Sequence, residues 1–223
     1  MAGRPDPLTG YLCNIALLDE VARREALGLI NDLLARHGWQ VRAEAVLPAL
    51  WRRLGPCMPP ASPLVELELC LTPHLRYSTS RENPSMILLT QQFEFAAAHR
   101  LHCPQLSDEE NRRTFGKCNN PNGHGHNYVL EVTVAGMADR QGGTVLPLPR
   151  LEQIVRERVI DRLDHKHLNA DTAEFADRNP SVENIARVIW DLLVGQVAPA
   201  RLHRVRVWET AKTWAEYDGQ DQA

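Results

Sequence analysis

An α+β fold in two parts is predicted for this 223-residue chain. Two stretches, ILLTQQFEFAAAH and HGHNYVLEVTVAG, read as long strands. Two later ones, PLPRLEQIVRERVIDRLDH and NPSVENIARVIWDLLV, carry apolar residues at helical spacing. RLHRVRVWET and TWAEYD close the chain as a hairpin. The C-terminal part is therefore ββ-αα-ββ, and the segment before it reads as helix, helix, strand, strand.

Taken in order, residues 11–37 form a helix with Ile15, Leu18, Val21 and Ala22 on one stripe, continued by Leu29 and Leu33 and stopped by Gly38. AVLPALWRRL is a second helix, with Pro48 in its first turn, where a missing N–H costs nothing. GPCMPPASP is a turn. LVELELCL alternates as a half-buried strand, and a further strand runs to about Thr79. SRENPS separates the two parts, so residues 1–84 and 85–223 are the expected domains. Between the two long strands, RLHCPQLSDEENRRTFGKCNNPNG is a long loop with one helical turn. In the helices that follow, Leu151, Ile154, Val155 and Val159 face inward, and Ser181 is the N-cap of the second.

The bulk numbers exclude more than they identify. A net charge of −3 argues against nucleic acid or a membrane surface as the main partner. No apolar run approaches the roughly 20 residues that cross a bilayer. The opening MAGRPDPLTGYLCN has no apolar core of a secretory signal. Cys13, Cys57, Cys70, Cys103 and Cys118 are an odd, scattered set, which suits reduced thiols in a cytoplasmic protein.

The two parts also resemble each other. GYLCNIALLDEVARRE slides onto GTVLPLPRLEQIVRER, matching Gly10 with Gly143, Leu18 with Leu151, Asp19 with Glu152 and Arg23 with Arg156. AEAVLPALW then falls on VENIARVIW, and LELCLTPHLRY on VRVWETAKTWA. Residues 9–80 read as a degenerate copy of the αα-ββ half of the second part. The plainer alternative is two unrelated amphipathic segments.

The chemistry concentrates in the second part, where six of the nine histidines fall between His99 and His167. Side chains alternate along a strand, so His124 and His126 share a face with Tyr128, Leu130, Val132 and Val134. Phe93, Phe95, Ala97 and His99 share a face in the same way. If the two strands pair, three imidazoles meet at one rim, the layout of a catalytic zinc site with an open fourth position. Gly125 leaves room for close approach. Cys118 sits in a polar loop beside Lys117, which would lower its pKa; it is a fourth ligand, a nucleophile or a base. Asp164 beside His165 suits a carboxylate that orients an imidazole for proton transfer. His167 reads as a cation at a helix C-terminus, and His102 and His203 as solvent-facing or packing residues. Glu209 ends its strand in phase with Val205 and Val207, so it meets the interior side, where it pairs with a cation or accepts a ligand's N–H groups.

FAAAHRL, SDEENRRTFGKCNNPNGHGHNY, LDHKHLN, NPSVENIA and VWET, in this order over residues 88–219, closely resemble the 6-pyruvoyltetrahydropterin synthase family. The resemblance implies the T-fold, or tunnelling fold, in which trimers close a barrel, two trimers stack as a hexamer, and active sites form at subunit interfaces. It implies a homo-oligomer acting on 7,8-dihydroneopterin triphosphate, which loses triphosphate while its side chain is rearranged to the pyruvoyl product. It implies Zn²⁺ on His99, His124 and His126, Cys118 as general base, and Asp164 and His165 completing the proton relay. Glu209 would hold the pterin ring, with Ser181 and Glu183 nearby. The triphosphate-binding cations stay open among Arg100, Arg112, Arg113 and Lys117.

The queuosine-pathway branch, 6-carboxytetrahydropterin synthase, takes the same substrate and releases acetaldehyde. The intact NNPNG between Cys118 and H-G-H resembles the pyruvoyl type. A non-catalytic pterin- or zinc-binding scaffold is the other alternative. It is the expectation for residues 9–80, where Asn31–Asp32 stand opposite Asp164–His165, Leu71 opposite Glu209, and only Glu44 matches, opposite Glu183. That half T-fold is expected to be inactive and to pack in the ring beside the active domain.

Overall fold

A computed structural model of the chain describes residues 5–8, 10–60, 62–137 and 143–220; residue 9, where the expected half-copy begins, lies outside them. The chain divides into two compact units, Met1–Leu89 with Ala135–Val145, and Thr90–Val134 with Leu146–Ala223. Among the described residues no helix is long and apolar enough to cross a membrane.

In the first unit, Asn14 caps α1 (Ile15–Ala22) by accepting the Ala16 N–H at 3.0 Å. A π-helical turn, Arg23–Leu27, joins it to α2 (Gly28–His37), which stops at Gly38 with φ +58°. α3 (Ala43–Leu54) follows, then the antiparallel strands β1 (Glu66–Thr72) and β2 (Leu75–Ser80). Val46, Leu50 and Leu54 of α3 form the core, packed by Val21, Leu29 and Leu33 and by Leu67 and Leu69. Two expectations fail here. Ile15 is 67% exposed, because the packing partners meet the helix only from Val21 onward. α3 starts at Ala43, which puts Pro48 in the second turn, where it withholds the N–H that the Glu44 carbonyl would accept.

The second unit takes most of β3 (Ile87–His99) and β4 (His124–Gly136). Between them, α4 (Asp108–Phe115) is longer than the single turn expected. Ser107 and Glu110 form a reciprocal capping box, which satisfies two N-terminal donors and lets a polar segment nucleate a helix. After β4 come α5 (Leu148–Val155), a π-helical turn Arg156–Ile160, and α6 (Asp161–Leu163). Leu151, Ile154, Val155 and Val159 are all buried, as their spacing predicts. β5 (Lys166–His167) pairs in parallel with β3, Ala97 opposite Lys166, and leads into α7 (Leu168–Asp171). Ser181 caps α8 (Val182–Leu193), and the antiparallel hairpin of β6 (Arg201–Thr210) and β7 (Thr213–Tyr217) closes the unit. The strands lie in the order β3-β4-β6-β7.

The apolar core of this unit, with Leu130, Val132, Ile185, Ile189, Val205 and Val207 fully buried, ends at a polar rim. The first residues of β4 and the last of β3 and β6 reach that rim.

Candidate active site

Strand alternation and the β3–β4 pairing build the site. Phe95, Ala97 and His99 are buried on one face of β3, and the Phe95 ring stacks on Tyr128 of β4, centroids 4.9 Å apart. That stack sets the register which brings His99 to His124 and His126, ring centroids 4.6 and 5.2 Å away. One ligand nitrogen from each of the three lies within 4.8 Å of the others. Two glycines permit this closeness. A Cβ on Gly125 would meet the Ala97 carbonyl oxygen at 3.3 Å. Gly123 has φ +70°, and a Cβ there would lie 2.7 Å from His167 Nε2 and 3.0 Å from the His99 carbonyl oxygen.

His167 therefore packs against the turn that presents the triad and does not cap a helix C-terminus. Its backbone N–H donates to Asp171 at 2.8 Å.

The geometry of the triad suits a metal ion. His99 is fully buried, and its Nδ1 lies 2.7 Å from the Pro180 carbonyl oxygen. That acceptor places the proton on Nδ1 and leaves the Nε2 lone pair facing inward. His99 Nε2 and His124 Nε2 are 3.2 Å apart. Two nitrogens bound about 2 Å from one tetrahedral ion stand roughly 3.3 Å apart. His126 Nε2 is buried without a hydrogen-bond partner, a donor atom left for something the protein does not supply. Burial holds the His99 and His126 imidazoles below the ordinary histidine range, so both are neutral at neutral pH.

Glu209 comes in from the end of β6, as its phase predicts. Its carboxylate lies 3.3 Å from His99 Nε2 and 3.5 Å from His126 Nε2. It thus stands at the triad itself, where it can offset a cation's charge or accept N–H groups from a ligand.

Gly116 ends α4 with φ +54°, and the short turn Gly116–Asn119 carries Cys118. The turn is pinned by the Leu101 N–H donating to the Cys118 carbonyl at 2.8 Å. Burial, and then the Glu209 carboxylate, push the Cys118 thiol up, opposite to the direction expected from Lys117. Lys117 lines a cleft with Arg100, Arg112 and His124 instead. The Tyr128 hydroxyl, also buried and without a partner, is pushed up by burial and by Glu209 and Cys118.

Asp164 and His165 are set where α6 ends. His165 has φ +56°, and its N–H donates to the Ala96 carbonyl at 2.6 Å. The Ala96 N–H donates to Asp164 Oδ1 at 2.8 Å, while Asp164 Oδ2 lies 2.8 Å from His165 Nδ1. The dyad is thus locked onto β3, and its imidazole, 83% exposed, projects into solvent. It lines a cleft of about 500 Å³ with Gly125, Asn127 and His167, whereas Cys118 does not line that cleft.

Ser181 and Glu183 stand at the start of α8. The Ser181 hydroxyl accepts the Asn184 N–H as an N-cap. Glu183 is exposed and lines a separate cleft of about 420 Å³ with Arg187, His203 and Arg204, which Glu209 does not reach.

Sequence reasoning missed the Pro180 carbonyl and the role of His102. His102 Nδ1 lies 3.2 Å from an Arg100 guanidinium nitrogen and 3.1 Å from Asn119 Nδ2. Proline in front of a helix N-cap hinted at a free carbonyl, but nothing local pointed it at His99.

The family model described as 6-pyruvoyl tetrahydropterin synthase matches residues 88–220. The chain belongs to the 6-pyruvoyl tetrahydropterin synthase family. A 6-pyruvoyl tetrahydrobiopterin synthase from Drosophila melanogaster is 46% identical over 132 residues, covering 59% of this chain and 79% of that protein. The human 6-pyruvoyl tetrahydrobiopterin synthase is 44% identical over the same length, covering 59% and 91%. The solved structure of Caenorhabditis elegans 6-pyruvoyl tetrahydropterin synthase superposes with a TM-score of 0.57 at 39% identity, covering 60% of this chain and 96% of that one. This likeness gives the second unit the T-fold of the synthase family. The family match begins only at residue 88, so α1 to β2 lie outside it.

Proposed function

We propose that the chain is a zinc-dependent lyase that converts 7,8-dihydroneopterin triphosphate to 6-pyruvoyltetrahydropterin with loss of triphosphate. The observation that carries this is the triad: three converging imidazoles, one tied to the Pro180 carbonyl, with two Nε2 atoms 3.2 Å apart. A three-histidine set suits Zn²⁺, which when bound would polarise the side-chain oxygens of the substrate. The elimination needs a proton taken from the carbon beside the phosphate ester. Its electron pair becomes the new C=C bond, and the C–O bond breaks with its electrons leaving on the triphosphate. Cys118 is the base in this reading. Its raised thiol pKa makes it a strong base once deprotonated and holds it protonated before substrate and metal arrive. Asp164 keeps His165 oriented as the second proton acceptor. Glu209 holds the pterin N–H groups, with Ser181 and Glu183 the further substrate contacts.

A homo-oligomer, a trimer-based ring or hexamer, completes the site in this reading. His165 is held by Asp164 and Ala96 but presents its exposed imidazole to solvent, as an imidazole serving a neighbour's site would.

Residues 9–80 are read as an inactive half-copy that packs in that ring. Identical element lengths support it: α1 matches α5 at 8 residues, and α3 matches α8 at 12.

Mass spectrometry of products from zinc-loaded protein and 7,8-dihydroneopterin triphosphate tests the activity. The pyruvoyl product is expected and should vanish in Cys118→Ala. 6-Carboxytetrahydropterin with acetaldehyde would move the chain to the queuosine branch. No turnover at all would leave a metal-binding scaffold.

A further inference from the structure

The inward face of β4 carries a polar atom deeper than the triad. Two residues past His126, Tyr128 is fully buried, its ring stacked on Phe95 with centroids 4.9 Å apart. The same ring stands edge-on to His126 and His99, centroids 5.6 and 6.2 Å away. Among the described residues its hydroxyl has no hydrogen-bond partner. Glu209, whose carboxylate could accept it, faces the His99 and His126 nitrogens instead. The charges that act on the hydroxyl are those of Glu209 and then Cys118. It therefore lies on the core side of the space that these two groups share with the triad.

A phenylalanine would fill this position and keep the stack on Phe95. The tyrosine oxygen loses its hydration on burial and gains no bond in the fold. A buried polar atom left unsatisfied beside a reacting centre is a donor held for a ligand. Its surroundings also push the phenol's pKa up, so it keeps its proton and stays a donor at neutral pH.

We infer that Tyr128 is a further catalytic residue, donating its O–H to the substrate's side-chain oxygen on the carbon from which Cys118 takes a proton. The inference rests on the proposed lyase reading and deepens it. That carbon bears a hydroxyl and neighbours the phosphate ester, so the elimination leaves an enol. The enol becomes a ketone when its O–H proton leaves and the terminal carbon gains one. Negative charge gathers on the oxygen between these two events. A donor already fixed in a buried site stabilises that charge without reorganising. Tyr128 itself gives up no proton at any stage.

Tyr128→Phe removes one oxygen and keeps the ring. In the zinc-loaded chain kcat should fall by on the order of a hundredfold, the effect of losing one oxyanion donor, with KM within about threefold. Metal retention should match wild type, and the urea midpoint should match or exceed it, because the hydroxyl bonds nothing in the fold. A binding readout stands beside the kinetics. With tyrosine carbon-13 labelled at Cζ, the resonance that Tyr128→Phe deletes should shift on adding 7,8-dihydroneopterin, which has the side-chain oxygens but no triphosphate to lose. It should stay still with 6-methyl-7,8-dihydropterin, which has no side-chain oxygen. Equal shifts with both pterins, or none with either, would overturn the donor role, as would an unchanged kcat in the variant. So would a variant that loses metal or stability, since the hydroxyl would then be a structural group. If the resonance behaves as stated while no pterin product forms, the donor contact stands and the lyase reading falls. Turnover in the wild type with a silent resonance does the reverse.

Discussion

α1 to β2 of the first unit and α5 to β7 of the second follow one plan. In each, an 8-residue helix runs into a five-residue π-helical turn, at Arg23–Leu27 and at Arg156–Ile160. A 12-residue helix follows, then an antiparallel hairpin whose register slips at the same place, Cys70/Thr72 and Trp208/Thr210. The plans diverge at the ends of elements. Asn31 and Asp32 stay inside α2, whereas Asp164 and His165 leave the helix to bond Ala96 of β3. Leu71 is 52% exposed, whereas Glu209 turns toward the His99 and His126 imidazoles. Glu44 and Glu183 both occupy the second residue of their helix. Glu44 is buried, accepting the Thr144 hydroxyl at 2.8 Å and the Val145 N–H at 3.4 Å, while Glu183 faces an open cleft. One helix-and-hairpin frame thus carries different side chains at the ends of its elements. What differs is whether a neighbouring strand redirects the chain there and leaves polar atoms unspent.

The largest break in this comparison should come from His126→Ala. Metal retained after dialysis should fall by well over tenfold and product formation should be lost, while Leu71→Ala, at the matching hairpin, changes neither. Metal analysis beside the product assay decides it. Next, Glu44→Ala should cost roughly 2–3 kcal/mol in urea unfolding, because it strands two donors in a buried site. Glu183→Ala should stay within about 0.5 kcal/mol and raise KM instead. Equal stability losses would erase the distinction between the two acids.

Gly123→Ala should cost about 1–2 kcal/mol, since it combines positive φ with a Cβ against His167 and the His99 backbone. It should loosen metal retention as well, which a purely local strain would not do. The smallest effect concerns acid. The Ala96 N–H, and after it His165, hold the Asp164 carboxyl below the usual carboxylate range. A depressed folded pKa adds stability above the ordinary carboxylate range, and that stability is lost as pH falls through it. Asp164→Asn should therefore flatten the acid limb of a stability–pH curve and leave its neutral region parallel to wild type. An unchanged acid limb would mean that this contact contributes nothing.

Much of the candidate site was legible because its signals are local. β3 and β4 begin and end where their alternation predicts, and the shared face of His124 and His126 follows from strand pleating. The Ser181 cap and the inward stripe of α5 were readable for the same reason. The π-helical turns were not, because an inserted residue leaves composition unchanged and only shifts the phase of the stripe. α4 was underestimated because a polar helix has no apolar period and depends on its capping box. His102 read as a bland polar residue because both of its partners, Arg100 and Asn119, are defined only once two loops are laid side by side.

The sequence by itself determined the periodicities, the caps, the turn glycines and the residue types that metal and proton chemistry require. These follow from backbone geometry over a few neighbouring residues. Tertiary structure decided everything that joins distant positions. His99 and His124 meet across 25 residues, Ala96 and Asp164 across 68, and His99 and Pro180 across 81. The burial of Glu44 under Thr144 spans 100. Such pairs are set by which faces the packed core brings together and by where buried polar atoms find partners, and no local period encodes either.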